Sequence, residues 1–266
     1  ETLRFGVEVA TLLGVETGSA RNWTKIADQM LLPIGQLDGV DVHLEFDGYK
    51  AGTPINQADV ALLQYPLGLA MEQELATNDL AVYQAVSSGP STAGFYTGDS
   101  AYSIAWLQLG NRSAADAQLN LAFDHMDTSH FNVWKEKSFG DYGNLNFLTG
   151  AGGFVQNMLM GYGGLRYRDE GLFARLLLPP LGITEMRLRR VAFLSARITF
   201  TVDNSQITVE LDSAVDDGQS FTVQQIGHPA NPLHAEIPAV FPTGAEILVA
   251  VVQRKVFQSE QSEKLN

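Results

Sequence analysis

Apolar residues recur at helical spacing through the first part of the chain. Over 17–34, Trp23 and Met30 lie on one face of a predicted helix that Pro33 ends. The same spacing predicts further helices at 56–67, 78–88, 97–110, 113–126 and 146–165, and the third and fourth of these form a predicted helical hairpin. The opening stretch 2–14 instead resembles a strand that has no evident partner nearby.

From about residue 170 the pattern changes from helical to alternating. The stretch 196–211 contains two β-branched runs around Asp203-Asn204-Ser205, which predicts a β-hairpin. Similar short runs at 185–194, 220–225 and 245–252 predict an antiparallel β-sandwich. The predicted organisation is a helical region over 1–169, a β domain over 170–255 and a polar tail over 256–266.

The helical region presents a packing difficulty. It supplies about six amphipathic helices joined by long, glycine-rich loops, which leaves apolar faces without a partner. Such faces usually pack against another polypeptide. We therefore expect a second chain to cover them, and the sequence has no cysteine that could hold it covalently.

The chain is acidic, with a formal net charge of −13 and a pI near 4.7 over its 266 residues. Nucleic acid and anionic membrane surfaces would repel it, so an uncharged ligand such as a sugar fits better. No apolar run reaches the roughly 18 residues that a membrane-spanning helix needs. The charge thus argues against nucleic-acid and membrane partners.

The sequence leaves its compartment partly open. Without cysteine there is no disulfide and no thiolate metal site. Two sequons, at Asn22 and Asn111, permit N-glycosylation in a secretory or lysosomal setting. The chain starts at Glu1, which indicates either a processed start or a piece of a larger protein. We expect an extracellular or lysosomal/vacuolar location.

No cofactor and no metal are predicted. The five histidines, at positions 43, 125, 130, 228 and 234, show no spacing typical of metal ligands. The glycine cluster at 150–153 lacks the Gly-Lys-Ser/Thr of a phosphate-binding loop.

Three stretches resemble, in this order, the later part of the helical barrel of glycoside hydrolase family 65. They are WTKIADQMLLPI (23–34), GTPINQADVALLQYPL (52–67) and NLNFLTGAGGFVQNMLMGYGGLR (144–166). The resemblance extends over about 17–211 and implies the C-terminal half of an (α/α)6 barrel followed by a small antiparallel β-sandwich. It also implies an N-terminal chain from the same precursor that carries the front of the barrel and the general acid.

The resemblance assigns the chemistry to one carboxylate. Inverting glycoside hydrolysis needs a general acid and a carboxylate that activates water on the opposite face of the sugar. By resemblance to the family segment that ends in Glu, Glu136 is the general base, and Trp134 can wall the site. From the sequence alone, Glu136 could equally be a solvated loop carboxylate between Lys135 and Lys137, and Trp134 a core residue.

Two further groups are predicted to bind the sugar. In the family a Lys-Gln pair contacts it, and here Gln57 matches while Asn56, shorter and neutral, replaces the lysine. Gln57 could alternatively cap a helix, and Asp59 is expected to support the start of that helix. In the glycine cluster, Gly152 and Gly153 either present free N–H groups to hydroxyls or allow close helix packing.

The resemblance implies a small α-glucoside as substrate. Within the family, the stretch around Glu136 and the glycine cluster is more similar to glucosidases acting on glucosyl-galactosyl-hydroxylysine than to acid trehalases, which are the alternative. The serines within 87–100 are arranged more like those of hydrolases than those of phosphorylases. A glycan-binding or structural assembly without turnover is a third possibility, motivated by the replacement at Asn56.

Overall fold

A computed structural model describes residues 2–15, 18–53, 55, 57–87, 96–129, 131–137, 143–214 and 219–252. The chain divides into two compact units, Glu1–Gly153 and Phe154–Asn266. Asn56, His130 and the predicted tail over 256–266 lie outside the described residues. Among the described helices, none has the length and apolar character to cross a membrane.

The first unit is mainly helical. Its helices are α1 (Thr2–Leu12), α2 (Ala20–Gln29), α3 (Val60–Gln64), α4 (Gln73–Ser87), α5 (Tyr96–Gln108), α6 (Arg112–Asp124) and α7 (Leu148–Gln156). The unit boundary falls within α7, which continues as a π-helical segment over Asn157–Tyr162. Two short antiparallel ribbons complete the unit: β1 (Ile34–Leu37) with β2 (Val40–His43), and β3 (Met126–Asp127) with β4 (Val133–Trp134).

The strand expected at the start of the chain is wrong, because these residues form α1. Leu3, Val7 and Ala10 recur at helical spacing and are the half-buried apolar positions of α1 together with Gly6 and Val9. A Cβ added at Gly6 would lie 3.6 Å from the ring of Trp23, so α1 and α2 approach each other closely there. The β-branched valines suggested a strand, but packing against α2 favours the helix.

The other predicted helices are present in the structure, but they begin and end at different residues from those predicted. The stretch predicted over 17–34 is helical only in α2, and that over 56–67 only in α3. The predicted hairpin is present as α5 and α6, and Asn111 caps α6 by accepting a hydrogen bond from the backbone N–H of Ala114 at 3.1 Å.

Buried side chains are distributed unevenly over the helices of the first unit. Its largest buried side chains, Leu80, Tyr83, Tyr102, Ile104 and Leu119, come from α4, α5 and α6. By contrast, α1 and α2 contain no buried residue, and large apolar side chains on and just after them are more than half exposed: Phe5, Leu12, Leu13, Val15, Met30 and Leu31. The apolar surface predicted from the pattern is therefore present on the α1–α2 hairpin.

The second unit consists of antiparallel strands. They are β5 (Arg166–Arg168), β6 (Gly171–Ala174), β7 (Glu185–Phe193), β8 (Ala196–Asp203), β9 (Gln206–Ala214), β10 (Ser220–Gln225), β11 (Asn231–Leu233), β12 (Ala239–Pro242) and β13 (Ile247–Val252). One sheet has the order β11-β10-β13-β6-β5 and the other β12-β9-β8-β7. Buried residues of both sheets form one apolar cluster, which includes Leu172, Phe200, Val209, Val223 and Val249.

The predicted hairpin over 196–211 is confirmed as β8 and β9. At its turn, one oxygen of Asp203 accepts hydrogen bonds from the backbone N–H groups of Ser205 and Gln206, at 2.7 and 2.9 Å. The hydroxyl of Ser205 donates to the same oxygen. These hydrogen bonds, led by the one from the Ser205 hydroxyl, lower the pKa of the exposed Asp203 carboxyl.

Replacing Gly164 by alanine should destabilise the second unit. Gly164 has φ +58°, and a Cβ there would lie 2.6 Å from the carbonyl oxygen of Arg175. Gly182 has φ +73° with no atom within 4 Å of such a Cβ, so Gly182→Ala is the matched control. Calorimetric unfolding should show a loss of about 1 kcal/mol for Gly182→Ala and of about 2–4 kcal/mol for Gly164→Ala. Equal losses would contradict the steric argument.

Candidate functional site

Glu136 lies in a segment that is fixed at both ends. On one side, Lys135 donates its backbone N–H to the carbonyl of His125 at 2.8 Å, which extends the β3–β4 ribbon. On the other side, Phe147 donates to the carbonyl of Trp134 at 2.7 Å, and Ala151 then donates to Phe147 at 3.2 Å in the first turn of α7. Trp134 and Phe147 are therefore joined by a backbone hydrogen bond, and Phe147 leads directly into α7.

The carboxylate of Glu136 is half-buried and accepts two hydrogen bonds from Asn144. Its Oε2 accepts hydrogen bonds from both the backbone N–H and the side-chain Nδ2 of Asn144, each at 3.0 Å. The backbone N–H of Glu136 donates in turn to the carbonyl of Asn144 at 3.1 Å. Among the described residues, none donates a hydrogen bond to Oε1, so this oxygen can accept one from water.

Trp134 and Lys135 flank the carboxylate. The Trp134 indole is half-buried, and its Nε1–H donates to the carbonyl of Ala122 on α6 at 3.3 Å. Lys135 is buried, with 9% of its surface exposed, whereas Lys137 is half-buried. The sequence had suggested a solvated carboxylate between two lysines as one alternative. Because Lys135 is buried and Asn144 donates two hydrogen bonds to Glu136, this carboxylate is held more firmly than a solvated loop carboxylate would be.

His125 is a residue of this region that the sequence did not single out. It ends α6 and is buried, and burial lowers the pKa of its imidazole, while hydrogen bonds to the backbone at Lys135 and Glu136 act in the opposite direction. The sequence treated histidines only as possible metal ligands. The signal that could have found it is its position at the end of a predicted helix, directly before the Glu136 segment.

The other predicted sugar-binding segment is organised differently from what the sequence suggested. Asn56 lies outside the described residues, and Gln57 is exposed. Asp59 occupies the N-cap position of α3, at the helix start where the sequence placed it, although its side chain makes no capping hydrogen bond. Instead, the carboxylate of Glu45 accepts from the backbone N–H groups of Asp59 and Val60, at 2.8 and 3.3 Å.

Glu45 is linked to a buried network that sequence reasoning missed. Asp79 accepts from the backbone N–H of His43 at 2.7 Å, and its other oxygen lies 2.7 Å from His43 Nδ1. The hydroxyl of Tyr83 donates to the carbonyl of His43 at 2.7 Å and accepts from the backbone N–H of Glu45 at 3.0 Å. The network therefore joins β2, α4 and the turn that follows Gln57.

Burial dominates the electrostatics of this network. It raises the pKa of the Glu45 carboxyl, and the hydrogen bonds from Asp59 and Val60 only partly offset the effect. Burial likewise raises the pKa of the Asp79 carboxyl against the hydrogen bonds from His43. The sequence signal for such a network is weak, because Asp79 is a polar residue within an apolar helix and only its partner in β2 explains it.

The glycine cluster occupies the first turns of α7. Gly150 is buried, Gly153 is half-buried and Gly152 is exposed. A Cβ at Gly152 would meet no atom of the described residues within 4 Å, so among them Gly152 serves no close packing. The helix geometry leaves the first N–H groups of α7 without intrahelical acceptors. No hydrogen bond among the described residues joins Gln57 to Glu136 or to this cluster.

The remaining predictions concern the two glycosylation sequons and the serines compared with those of phosphorylases. The sequon residues Asn22 and Asn111 are both exposed. Ser87 and Ser100, from the stretch compared with phosphorylases, are buried, and Ser88 and Ser91 lie outside the described residues. An open cavity of about 530 Å³ in the first unit is lined by β1–β2 residues such as Asp41 and by α4 residues such as Asn78, and by none of the predicted site residues.

The chain is similar in sequence to several proteins that are named as glucosidases, trehalases or kojibiose hydrolases. No protein-family model matches the chain. It is 36% identical over 229 residues to a protein-glucosylgalactosylhydroxylysine glucosidase of Danio rerio, covering 85% of this chain and 33% of that protein. It is 30% identical to a periplasmic/secreted acid trehalase of Candida glabrata (63% and 14%). It is 33% identical to a kojibiose hydrolase of Flavobacterium johnsoniae (61% and 22%). The chain thus spans a third or less of the length of these relatives.

Removing the Asp79 carboxylate should destabilise the first unit strongly. Asp79→Ala leaves the buried backbone N–H and ring of His43 without their acceptor, at a cost of about 3 kcal/mol. The control is Asp28→Ala, which breaks an exposed ion pair with Arg4 of 2.8 Å and should cost about 1 kcal/mol or less. Urea unfolding followed by helical circular dichroism measures both, and similar losses would refute a structural role for the network.

Burial of His125 predicts a pH-dependent stability. Because the pKa of His125 in the fold lies below its ordinary value of 6.5, the unfolded chain binds more protons as the pH falls below that value. The free energy of unfolding should therefore be retained above pH 6.5 and decrease below it. His125→Gln should flatten this part of the profile, whereas substitution of the exposed His228 should not. A profile unchanged in His125→Gln would contradict the assignment.

Proposed function

Because the chain belongs to a glycoside hydrolase family 65-like family, we propose that it is the C-terminal part of an inverting exo-α-glucosidase that hydrolyses a small α-glucoside. The observation that carries the proposal is the carboxylate of Glu136, whose Oε2 is held by Asn144 and whose Oε1 accepts no hydrogen bond from a described residue. A general base needs one oxygen that can receive a proton and a fixed orientation toward the water.

The proposed reaction is a single displacement. A water molecule hydrogen-bonded to Glu136 Oε1 attacks C1 of the glucosyl unit on the face opposite the glycosidic oxygen, and Oε1 takes one of its protons. A general acid outside this chain donates a proton to the leaving oxygen as the C1–O bond breaks. The products are β-glucose and the free hydroxyl of the aglycone. The two carboxyl groups of such enzymes lie about 6.5–9.5 Å apart to leave room for the water.

The proposed substrate is of the glucosyl-galactosyl-hydroxylysine type. The name of the Danio rerio relative, at 36% identity, supports this choice over trehalose, the substrate class that the name of the Candida glabrata relative indicates. We assign Gln57, with Asn56, to contacts with the sugar hydroxyls. Trp134 and the free N–H groups of the first turn of α7 are assigned to the wall of the site. Gly152 and Gly153 follow in the next turn, where the helix provides acceptors for their own N–H groups, so the two glycines line the site without donating to it. Acid α,α-trehalase activity is the second candidate.

The proposed enzyme needs an N-terminal partner. The exposed apolar side chains of the α1–α2 hairpin, among them Phe5, Leu12 and Leu31, support a surface that another part of the protein covers. The Danio rerio relative is about three times as long as the matched region, so it contains enough chain to supply the front of an (α/α)6 barrel and the general acid. We propose an extracellular or lysosomal/vacuolar location, in which glycosylation at Asn22 and Asn111 is possible.

A non-catalytic assembly of the same fold is the alternative from another class. The neutral Asn56, in place of the lysine expected from the family resemblance, supports it, because a direct sugar contact would be lost. Such an assembly would bind the glycan without releasing glucose. It would also tolerate the loss of the Glu136 carboxylate, since binding needs no general base.

Glucose release from glucosyl-galactosyl-hydroxylysine and from trehalose tests the proposal. The natively purified protein, with its co-purifying chains identified by mass, should release β-glucose first from the collagen-type glucoside, as followed by proton NMR. Glu136→Gln should lower kcat by a factor on the order of 10³ or more, because the general base is lost. Glu185→Gln, at an exposed position of the second unit, is the matched control and should leave kcat unchanged.

Each other outcome has a distinct meaning. Release of glucose mainly from trehalose would favour the trehalase alternative, and initial release of α-glucose would contradict inversion. Glycan binding without glucose release would favour the non-catalytic assembly. A fully active Glu136→Gln variant would refute the assignment of the general base.

A further inference from the structure

We propose that Asn144 is a positioning residue that commits one oxygen of Glu136 to the protein and thereby leaves the other for the attacking water. This inference rests on the proposed function, since it concerns the same carboxylate. Asn144 opens the stretch 144–166 that carries the family resemblance, but the sequence assigned it no role. It follows from the hydrogen bonds that Glu136 makes in the folded chain.

The hydrogen bonds from Asn144 are distributed unequally over the two oxygens of Glu136. Both donors of Asn144, the backbone N–H and the side-chain Nδ2, end on the same oxygen, Oε2, at 3.0 Å each. The backbone N–H of Glu136 returns a hydrogen bond to the carbonyl of Asn144 at 3.1 Å. Three hydrogen bonds thus join two residues that are eight positions apart, so the backbone and the carboxylate are fixed together.

This arrangement distinguishes two oxygens that are chemically equivalent in a free carboxylate. An oxygen with two N–H donors has its acceptor capacity largely used, whereas Oε1 accepts none from the described residues. A freely rotating Glu would spend part of its time with neither oxygen aimed at the water, and orientation of the reacting group is a large part of catalysis. Asn144 therefore acts on the rate through Glu136 and not through the substrate.

Gly143 makes this contact possible. Its φ is +63°, and a Cβ there would lie 2.5 Å from Glu136 Oε2 and 3.0 Å from Glu136 Cβ. The carboxylate consequently packs directly against the glycine backbone, which any larger residue would prevent. The Gly143-Asn144 pair forms one cradle: Gly143 provides the space and Asn144 the donors.

The main test uses two variants of Asn144 in the natively assembled protein with the collagen-type glucoside. Asn144→Ala removes one charge-assisted hydrogen bond and should lower kcat by about 10- to 100-fold, with KM changed less than about twofold because substrate contacts remain. Asn144→Asp fills the same volume but places a second carboxylate beside Glu136. A role in packing alone predicts that Asp preserves activity better than Ala, whereas the positioning role predicts that Asp is at least as damaging.

Gly143→Ala provides an independent variant, with Gly227→Ala as its matched control. Gly227 has φ +85° and no atom within 4 Å of an added Cβ, so its substitution has the same kind of backbone cost without touching Glu136. We expect Gly143→Ala to lower kcat at least as much as Asn144→Ala and Gly227→Ala to retain it. Circular dichroism identifies the folded variants, and kcat is compared among those only.

The outcomes separate the positioning role from the proposed function. If Glu136→Gln is inactive while folded Asn144→Ala, Asn144→Asp and Gly143→Ala keep kcat within about twofold of the wild type, the positioning role is refuted and the general base stands. If Glu136→Gln itself is active, the proposed function fails. A loss confined to KM would also overturn the proposal, because it would mean that Asn144 contacts substrate.

Discussion

The buried hydrogen bonds of Asp79 with His43 are the interaction on which the architecture of the first unit depends. A carboxylate with 1% of its surface exposed is tolerated only when its oxygens are satisfied, and here both oxygens contact His43. Through Tyr83 the same network reaches Glu45, which holds the turn after Gln57. A ribbon, a helix and a predicted sugar-binding segment are therefore fixed relative to one another by one buried polar group.

The same physical device recurs around Glu136. In both places a carboxylate accepts hydrogen bonds from backbone N–H groups of another segment, and it thereby links two parts of the chain. Glu45 and Glu136 differ in how many of their carboxylate oxygens accept hydrogen bonds from described residues. Both oxygens of Glu45 face backbone donors. In contrast, Glu136 keeps Oε1 without a donor among the described residues, which is the property that a base requires.

The distribution of buried residues in the first unit supports the proposal that the activity requires more than this chain. The core is concentrated on α4, α5 and α6, whereas α1 and α2 contain no buried residue and several large apolar side chains on and just after them are exposed. Exposed apolar area of this extent is unfavourable in water, and covering it would stabilise the unit by about 25 cal/mol for each Å² removed from solvent. The second unit, in contrast, has a continuous apolar cluster of its own.

The sequence by itself determined the order of helices before strands, the α5–α6 hairpin and the strands around Asp203, because these depend on periodicity and on turn chemistry that act over a few residues. It also singled out Glu136 and Gln57 as candidate site residues, through motifs and a family resemblance, and their roles stay predictions. It misjudged the start of the chain, where β-branched residues suggested a strand and contact with α2 made a helix.

Only the tertiary structure decided how the carboxylates are used. Asp79, Glu45 and Glu136 look alike in the sequence, and their different roles arise from partners 36, 14 and 8 residues away. Burial and hydrogen bonding between distant segments set the orientation and the protonation of such groups, and neither property is encoded in local pattern. That is why the hydrogen-bonding roles of Asn144 and His43, which no local pattern indicates, emerge only from the folded chain.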